Sequence, residues 1–320
     1  MPLFPIRMSP AYRYGAATPW GGNGLRTAYH KDIPDDRTGE ALEVSAIPGL
    51  CSRDEQGEPL DALIARYGAR LMGEKAPLPF SLLLKLLDAR DDLSVQVHPG
   101  DAYAQRVEHK LGKTEAWVIL RAEPGAQLVY GVKPEVTREA LEEALLDGPK
   151  VEPLLRHVAV KPGDVYYIPS GMVHAIGGGI LLYEIQQSSD VTYRFYDWDR
   201  VDQAGNKREL HIKKALDVTT LALCPEAVCP KVLSDDAQGK REQLLDETYF
   251  GLERLTGCQG YTLSADKRRF QILTATKDGV LLCGGETLAL PAGHTALLPA
   301  DGYTLSLSGD FLLAYPAVHG

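Results

Sequence analysis

The sequence predicts a mainly β protein of two barrel-type domains: residues 1–235 with a few inserted and flanking helices, and a smaller all-β part at 236–320. Three observations predict it. From about residue 245 onward, short apolar runs recur between Gly and Pro turns at roughly eight-to-ten-residue spacing, the pattern of a sandwich or barrel. Residues 93–97 and 113–117 alternate with period two, so each reads as a strand with two chemically different faces. Residues 163–174 read as strand, tight turn, strand: Gly163 opens a turn, Val165 to Ile168 are β-branched and aromatic, and Pro169-Ser170-Gly171 delivers His174 onto the next strand.

Composition bounds the function. At 320 residues the chain is long enough for two domains, and 44% hydrophobic with 24% charged residues is an ordinary globular balance. A formal net charge of −9 argues against nucleic acid or an anionic membrane as the main partner. Residues 1–8 lack a signal-peptide apolar run, and nowhere do about 18 uninterrupted apolar residues occur, so a cytoplasmic protein without a membrane span is expected. Cys51, Cys224, Cys229, Cys258 and Cys283 are odd in number and form no C-x-x-C pair, which suits reduced thiols. Any metal would need His, carboxylate or amide ligands.

Taken in order, Trp20-Gly21-Gly22 sits at a flexible turn, and residues 39–45 alternate like a strand with Glu43 and Ser45 on one face, open to a ligand or to solvent. Residues 58–67 show helical periodicity, and Pro77 and Pro79 stop any continuation. Residues 80–87 form an apolar run short enough for a buried strand, and Lys85, its only charge, either snorkels to solvent or serves an anionic ligand. On strand 93–99, Ser94, Gln96 and His98 face one way and Leu93, Val95 and Val97 the other, as where one face packs and the other lines a cavity. Residues 101–110 are helix or loop; 113–120 form a strand with Lys113, Glu115 and Trp117 on one face. Thr137 is an N-cap candidate for a helix to residue 146, and His157 lies on a short strand with a structural role expected. A strand at 180–187 precedes a turn and a further strand at 191–200. There Arg194, flanked by aromatic residues, needs an anionic partner if buried, either a structural carboxylate or an anionic substrate. Arg200 follows with the same phosphate-matching chemistry. Residues 209–216 look helical, and 219–240 reads as a connection. In the last third, His294 is isolated from any partner ligand, so a metal-free β domain is expected there.

Gln96, His98, Glu115 and His174 thus stand on inward-facing strand positions. Two imidazoles, a carboxylate and an amide oxygen make a nitrogen and oxygen site that suits Zn2+, with Mn2+, Co2+ or Fe2+ also within its range. The turn before His174 has the G-x5-P-x-G-x2-H spacing of the second cupin motif. The blocks Ser94 to Pro99, Lys113 to Trp117, Pro169 to Ala175 and Gln186 through Arg194, with Trp20-Gly21-Gly22 and Gly39-Glu40, resemble the type I mannose-6-phosphate isomerases, particularly the short bacterial form.

That resemblance implies two cupin-type jelly-roll barrels and one Zn2+ per chain held by Gln96, His98, Glu115 and His174. It also implies interconversion of mannose 6-phosphate and fructose 6-phosphate through a cis-enediol, with Arg194 as the catalytic arginine and Arg200 where a basic residue helps hold phosphate. Lys85, Lys113 and Ser45 are further substrate-side candidates, and Lys113, facing the same way as Glu115, competes with a water for the role of base. The small-molecule partner is then a sugar phosphate. Two departures stand out: Leu42 where the short forms usually carry Trp, and Gly100 where a polar residue is common. Readings from other classes are a cupin Fe2+ dioxygenase, which oxygen uptake would reveal, and a sugar-phosphate-binding regulator, which would bind without turnover.

Overall fold

Strands hidden on both faces organise the structure, a computed structural model that describes residues 3–202 and 204–318. Every residue of Leu82–Ala89 and of Ile180–Gln187 is buried, so each needs a packed layer on either side. The two pair antiparallel along their whole length, with Lys85 opposite Glu184. They form the centre of a six-stranded sheet ordered Val165–Ile168, Glu115–Ala122, Ile180–Gln187, Leu82–Ala89, Thr38–Val44, Ala11–Tyr14. The expected buried strand at 80–87 is therefore present, two residues further along.

One face of this sheet looks onto a five-stranded sheet ordered Tyr193–Tyr196, Val95–Val97, His174–Ile176, Gln127–Val132, Leu155–Ala159. Leu87, Trp117 and Leu182 from the first sheet meet Leu128, Tyr130 and Ile176 from the second in one apolar cluster. Two helices close the outside of the second sheet. Leu141 and Leu145 of Arg138–Leu145, with Ala215 of Ile212–Val218, cover Val95, Val97, Val129 and Phe195. Thr137 caps the first of these, its Oγ1 accepting from the Ala140 N–H at 3.2 Å.

The other face of the six-stranded sheet packs Leu84, Leu86, Val118 and Tyr183 against Phe250, Ile272, Leu297 and Leu312 of a ten-stranded sheet. A separate cluster around Leu281, Tyr303, Leu307 and Phe311 gives the C-terminal part its own core. Strand Ile6–Ser9 pairs with Thr295–Leu298, and Arg53–Asp54 with Ile6–Ser9, so two early strands enter this late sheet. All strand pairings are antiparallel, and the mainly β, cupin-like class is as expected. No helix among the described residues is long and apolar enough to cross a membrane.

Two elements differ from expectation, and a third settles between the two readings left open for it. The strand expected at 191–200 is only Tyr193–Tyr196, because Trp198 (φ 57°) and Asp199 (φ 50°) adopt left-handed backbone that cannot continue an extended chain. The 101–110 segment resolves to the helix Asp101–Glu108. The expected connection at 219–240 already contains strand Lys231–Asp236, which pairs with Gly239–Asp246.

Candidate active site

The strand ladders set the site. Gln96 lies opposite His174 on one side and opposite Arg194 on the other, so three strands bring these residues abreast. Val95 and Val97 go to the helix-covered side, as the alternation requires. On the facing sheet, Glu115 pairs with Gln186 and stands two residues after Lys113. The Pro169 turn fixes the last partner. Gly171 (φ 86°) occupies a turn position closed by the Met172 N–H donating to the Pro169 carbonyl at 3.2 Å, and its own N–H donates to the His98 carbonyl at 2.8 Å. That bond ties the turn to the strand end carrying His98.

His98, Glu115 and His174 converge, their ligand atoms all within 4.8 Å of one another and fully buried. The two Nε2 atoms lie 3.2 Å apart, His98 Nε2 is 3.5 Å from Glu115 Oε2, and His174 Nε2 is 3.4 Å from Glu115 Oε1. Ligands about 2.0–2.1 Å from a tetrahedral centre sit about 3.3 Å from each other, so these spacings fit a small divalent ion. The chemistry fits as well. His174 Nδ1–H donates to the Met172 carbonyl at 2.8 Å, which leaves Nε2 with its lone pair toward the site. Burial holds His174 down to about 4, and burial together with Lys113 and His174 holds His98 well below its ordinary value, so both rings are neutral. Neither buried oxygen of Glu115 accepts a hydrogen bond of good geometry. Gln96 Nε2 lies 3.4 Å from His174 Nε2, and half a turn of the amide presents Oε1 there instead. The Lys113 ammonium is the cation at this cluster, 2.9 Å from His98 Nε2 and 2.8 Å from Glu115 Oε2.

A chain of charges runs from there across four strands. Lys85 Nζ is 3.1 Å from Glu184 and 3.6 Å from Glu40, and Glu40 is 3.5 Å from Arg13. Glu184 also accepts from Trp117 Nε1 at 2.9 Å. Burial pushes Glu184 up, but Lys85 and then Lys113 outweigh it and hold the carboxyl at about 2. Glu115 goes the other way: burial, then the Glu184 charge, push it to about 7. Lys85 therefore neither snorkels nor stands free; its charge is neutralised by two carboxylates. Two close backbone approaches bring this chain to the cleft. A Cβ on Gly21 would meet Gly39 N at 2.5 Å, and one on Gly39 would meet the Trp20 ring at 2.5 Å, so the glycines let Trp20 pack over the strand that carries Glu40.

A narrow cleft opens over these groups, lined by Arg13, Glu40, Lys85, Gln96, Lys113, Glu184, Arg194 and Arg208 among others. Arg194 makes no ion pair or side-chain hydrogen bond among the described residues, and its buried Nε has no partner. Burial, then repulsion from Arg208, hold its guanidinium below the ordinary value.

Two expected residues stand elsewhere. Ser45 is fully buried away from the cleft, its Oγ accepting from the Ile47 N–H at 3.2 Å and its N–H donating to Ser52 Oγ at 3.0 Å. Arg200 does not line the cleft; it donates to the Asp92 carbonyl and to Asp197, and borders an adjoining depression. Leu42 is fully buried and does not line the cleft, while a Cβ on Gly100 would meet only Ser170, at 3.2 Å. Sequence reasoning left Glu40, Glu184, Arg13 and Arg208 without a role. The first two carried a signal: like Lys85, each is an ionic residue on a wholly buried strand.

The family model for the type I phosphomannose isomerase catalytic domain matches residues 9–118. Among curated proteins, the mannose-6-phosphate isomerase of Streptococcus mutans is 38% identical over 91% of this chain and 92% of its own length. A mannose-6-phosphate isomerase of Bacillus subtilis is 37% identical over 88% of this chain and 89% of its own. The crystal structure of a mannose 6-phosphate isomerase from Bacillus subtilis superposes with a TM-score of 0.88 at 31% identity, covering 98% of this chain and 99% of that one. A phosphomannose isomerase mutant from Salmonella typhimurium, at 16% identity and a TM-score of 0.80, shares the fold across 99% of this chain and 100% of its own.

Proposed function

Because this chain belongs to the type I phosphomannose isomerase family, we propose that it interconverts D-mannose 6-phosphate and D-fructose 6-phosphate with one Zn2+ per chain. It is an enzyme, with the activity of a mannose-6-phosphate isomerase. The observation that carries the finer reading is the convergence of His98, Glu115 and His174 beneath a cleft whose wall holds the uncompensated charge of Arg194.

In this reading Gln96, His98, Glu115 and His174 would hold the ion, which as a Lewis acid would stabilise negative charge developing on the substrate. The chain's own residues do the rest. Lys113, relieved of neutralising the ligand cluster, takes the proton from C2 and returns it to C1 while a hydroxyl proton passes from O2 to O1, the pair of transfers that turns aldose into ketose through a cis-enediol. Arg194 stabilises the enediolate as its charge develops; a half-buried guanidinium with no ion pair among the described residues is available for that duty from the outset. Lys85 is held cationic by Glu184 and Glu40 and orients the sugar's polar groups from the opposite wall. Residues 1–235 carry the chemistry and 236–320 brace the six-stranded sheet from behind. Five cysteines without a disulfide suit a cytoplasmic enzyme.

A coupled assay for fructose 6-phosphate formed from mannose 6-phosphate, before and after chelation and with Zn2+ returned, tests this. Activity lost to the chelator and restored by zinc is expected. Zinc-loaded protein that binds the sugar phosphate without turning it over would favour a regulator instead.

A further inference from the structure

We propose that Arg208, held in place by Asp197, is the cation that takes the substrate's phosphate, and that Arg200 is not; this rests on the isomerase reading above. Among the cleft's lining residues, five are cationic (Arg13, Lys85, Lys113, Arg194, Arg208) and three anionic (Glu40, Glu184, Asp190). Most of these charges are already matched. Arg13 meets Glu40, Lys85 meets Glu184, and Lys113 meets Glu115, while Asp190 is paired with Lys110 at 2.6 Å. Arg194 and Arg208 remain: Arg194 has no ion pair among the described residues, and Arg208 pairs with Asp197, which also meets Arg200.

Arg208 is built for an anion. Its Nε donates to Asp197 Oδ2 at 2.7 Å and its Nη2 to Asp197 Oδ1 at 2.6 Å, a bidentate fork that fixes the guanidinium plane and leaves Nη1 without a hydrogen bond among the described residues. Asp197 is itself 5% exposed, so the fork is anchored in the protein and not in solvent. Facing it, Arg194 has a buried Nε without a partner, and each guanidinium repels the other. A substrate with its phosphate on Arg208 and its C1–C2 end toward Arg194 gives each guanidinium its own anion. Arg200 has the expected chemistry in the wrong place. It uses Nη2 on the Asp92 carbonyl and Nη1 on Asp197, and lies outside the cleft. Asp197 is then a positioning residue, acting on phosphate only through Arg208.

The test compares Arg208→Gln, Arg208→Lys, Asp197→Asn and Arg200→Gln in the metal-loaded enzyme. It reads inorganic phosphate binding by calorimetry alongside KM and kcat for mannose 6-phosphate. Arg208→Gln is expected to weaken phosphate and raise KM together by about tenfold or more, with kcat within about threefold. Arg208→Lys, a point charge without the fork, falls between, and Asp197→Asn raises KM by about threefold to fivefold with kcat held. Arg208→Gln binding phosphate like the parent, or Arg200→Gln showing the larger loss, overturns the proposal. Should Arg208→Gln fail to fold, weakened phosphate binding in both Arg208→Lys and Asp197→Asn supports it, and parental binding in both refutes it. A parent protein inactive on mannose 6-phosphate would sink the isomerase reading alone, since the calorimetry still decides which arginine holds phosphate.

Discussion

Replacing Arg194 by Ala separates chemistry from architecture, because the side chain is the one cleft cation with neither ion pair nor hydrogen bond among the described residues. Its removal orphans no carboxylate and relieves repulsion with Arg208, so the usual cost of breaking a buried pair, about 3–5 kcal/mol, does not apply. Only the packing of its stem is lost, and the melting temperature should stay near the parent's. The reaction has much more to lose. A unit charge about 5 Å from the enediolate, at an effective dielectric of about 20, is worth about 3 kcal/mol. That lies within the range seen when one oxyanion-stabilising donor is removed, and corresponds to a fall in kcat of about 10²–10³-fold. The coupled fructose 6-phosphate assay gives kcat, metal analysis gives zinc per chain, and a thermal melt reports the fold. The expected outcome is a loss of turnover with zinc content and melting temperature retained. A kcat within a few-fold of the parent would remove Arg194 from the chemistry, and zinc lost in parallel with activity would show that it supports the ligand cluster instead.

His98→Ala and His174→Ala should each abolish stoichiometric metal, since each takes away a ligand; full zinc content in either purified variant would refute the assigned set. Lys85→Met should destabilise the protein by about 3–5 kcal/mol in denaturant unfolding, because Glu184 and Glu40 would stay buried with their shared cation gone; a loss below about 1 kcal/mol would show that water or protonation compensates. Metal-free protein should weaken on acidification. The folded value of His174, about 4, lies below its ordinary 6.5, so the unfolded chain binds the proton first and stability is full above about 6.5 and lost as pH falls toward 4. The His174 contribution is at most about 3 kcal/mol, and bound zinc should protect until protons displace it. Glu115, raised to about 7, acts with the opposite sign over much of that window, so the ring's share is read by comparing His174→Gln with the parent; an unchanged pH slope in that variant would show that this ring is not held neutral.

How much of this site the sequence discloses depends on how local its causes are. Gln96, His98, Glu115 and His174 were legible because strand alternation decides which way each faces, and the Gly171 turn decides where His174 falls. Lys85 was conspicuous as a charge in an apolar run, but its partners Glu40 and Glu184 come from strands far away in the chain, joined only by sheet register. Ser45 shows what parity leaves open. It shares its parity with Glu43, which alternation puts on the face opposite Glu40 and which pairs with Lys31 at 2.7 Å in the core, and the strand's register against Leu82–Ala89 shifts between Leu42 and Val44 just before it. Arg200 and Arg208 differ for a reason further still from local pattern. The strand ends at Tyr196, and Trp198 and Asp199, both left-handed, turn the chain just after Asp197, so spacing from Arg194 no longer predicts direction. The choice between the two arginines then falls to Asp197, which binds Arg208 with two short bonds and Arg200 with one of 3.3 Å. Alternation can place a ligand on a strand; beyond the strand's end, only the carboxylate that captures an arginine decides which one faces the substrate.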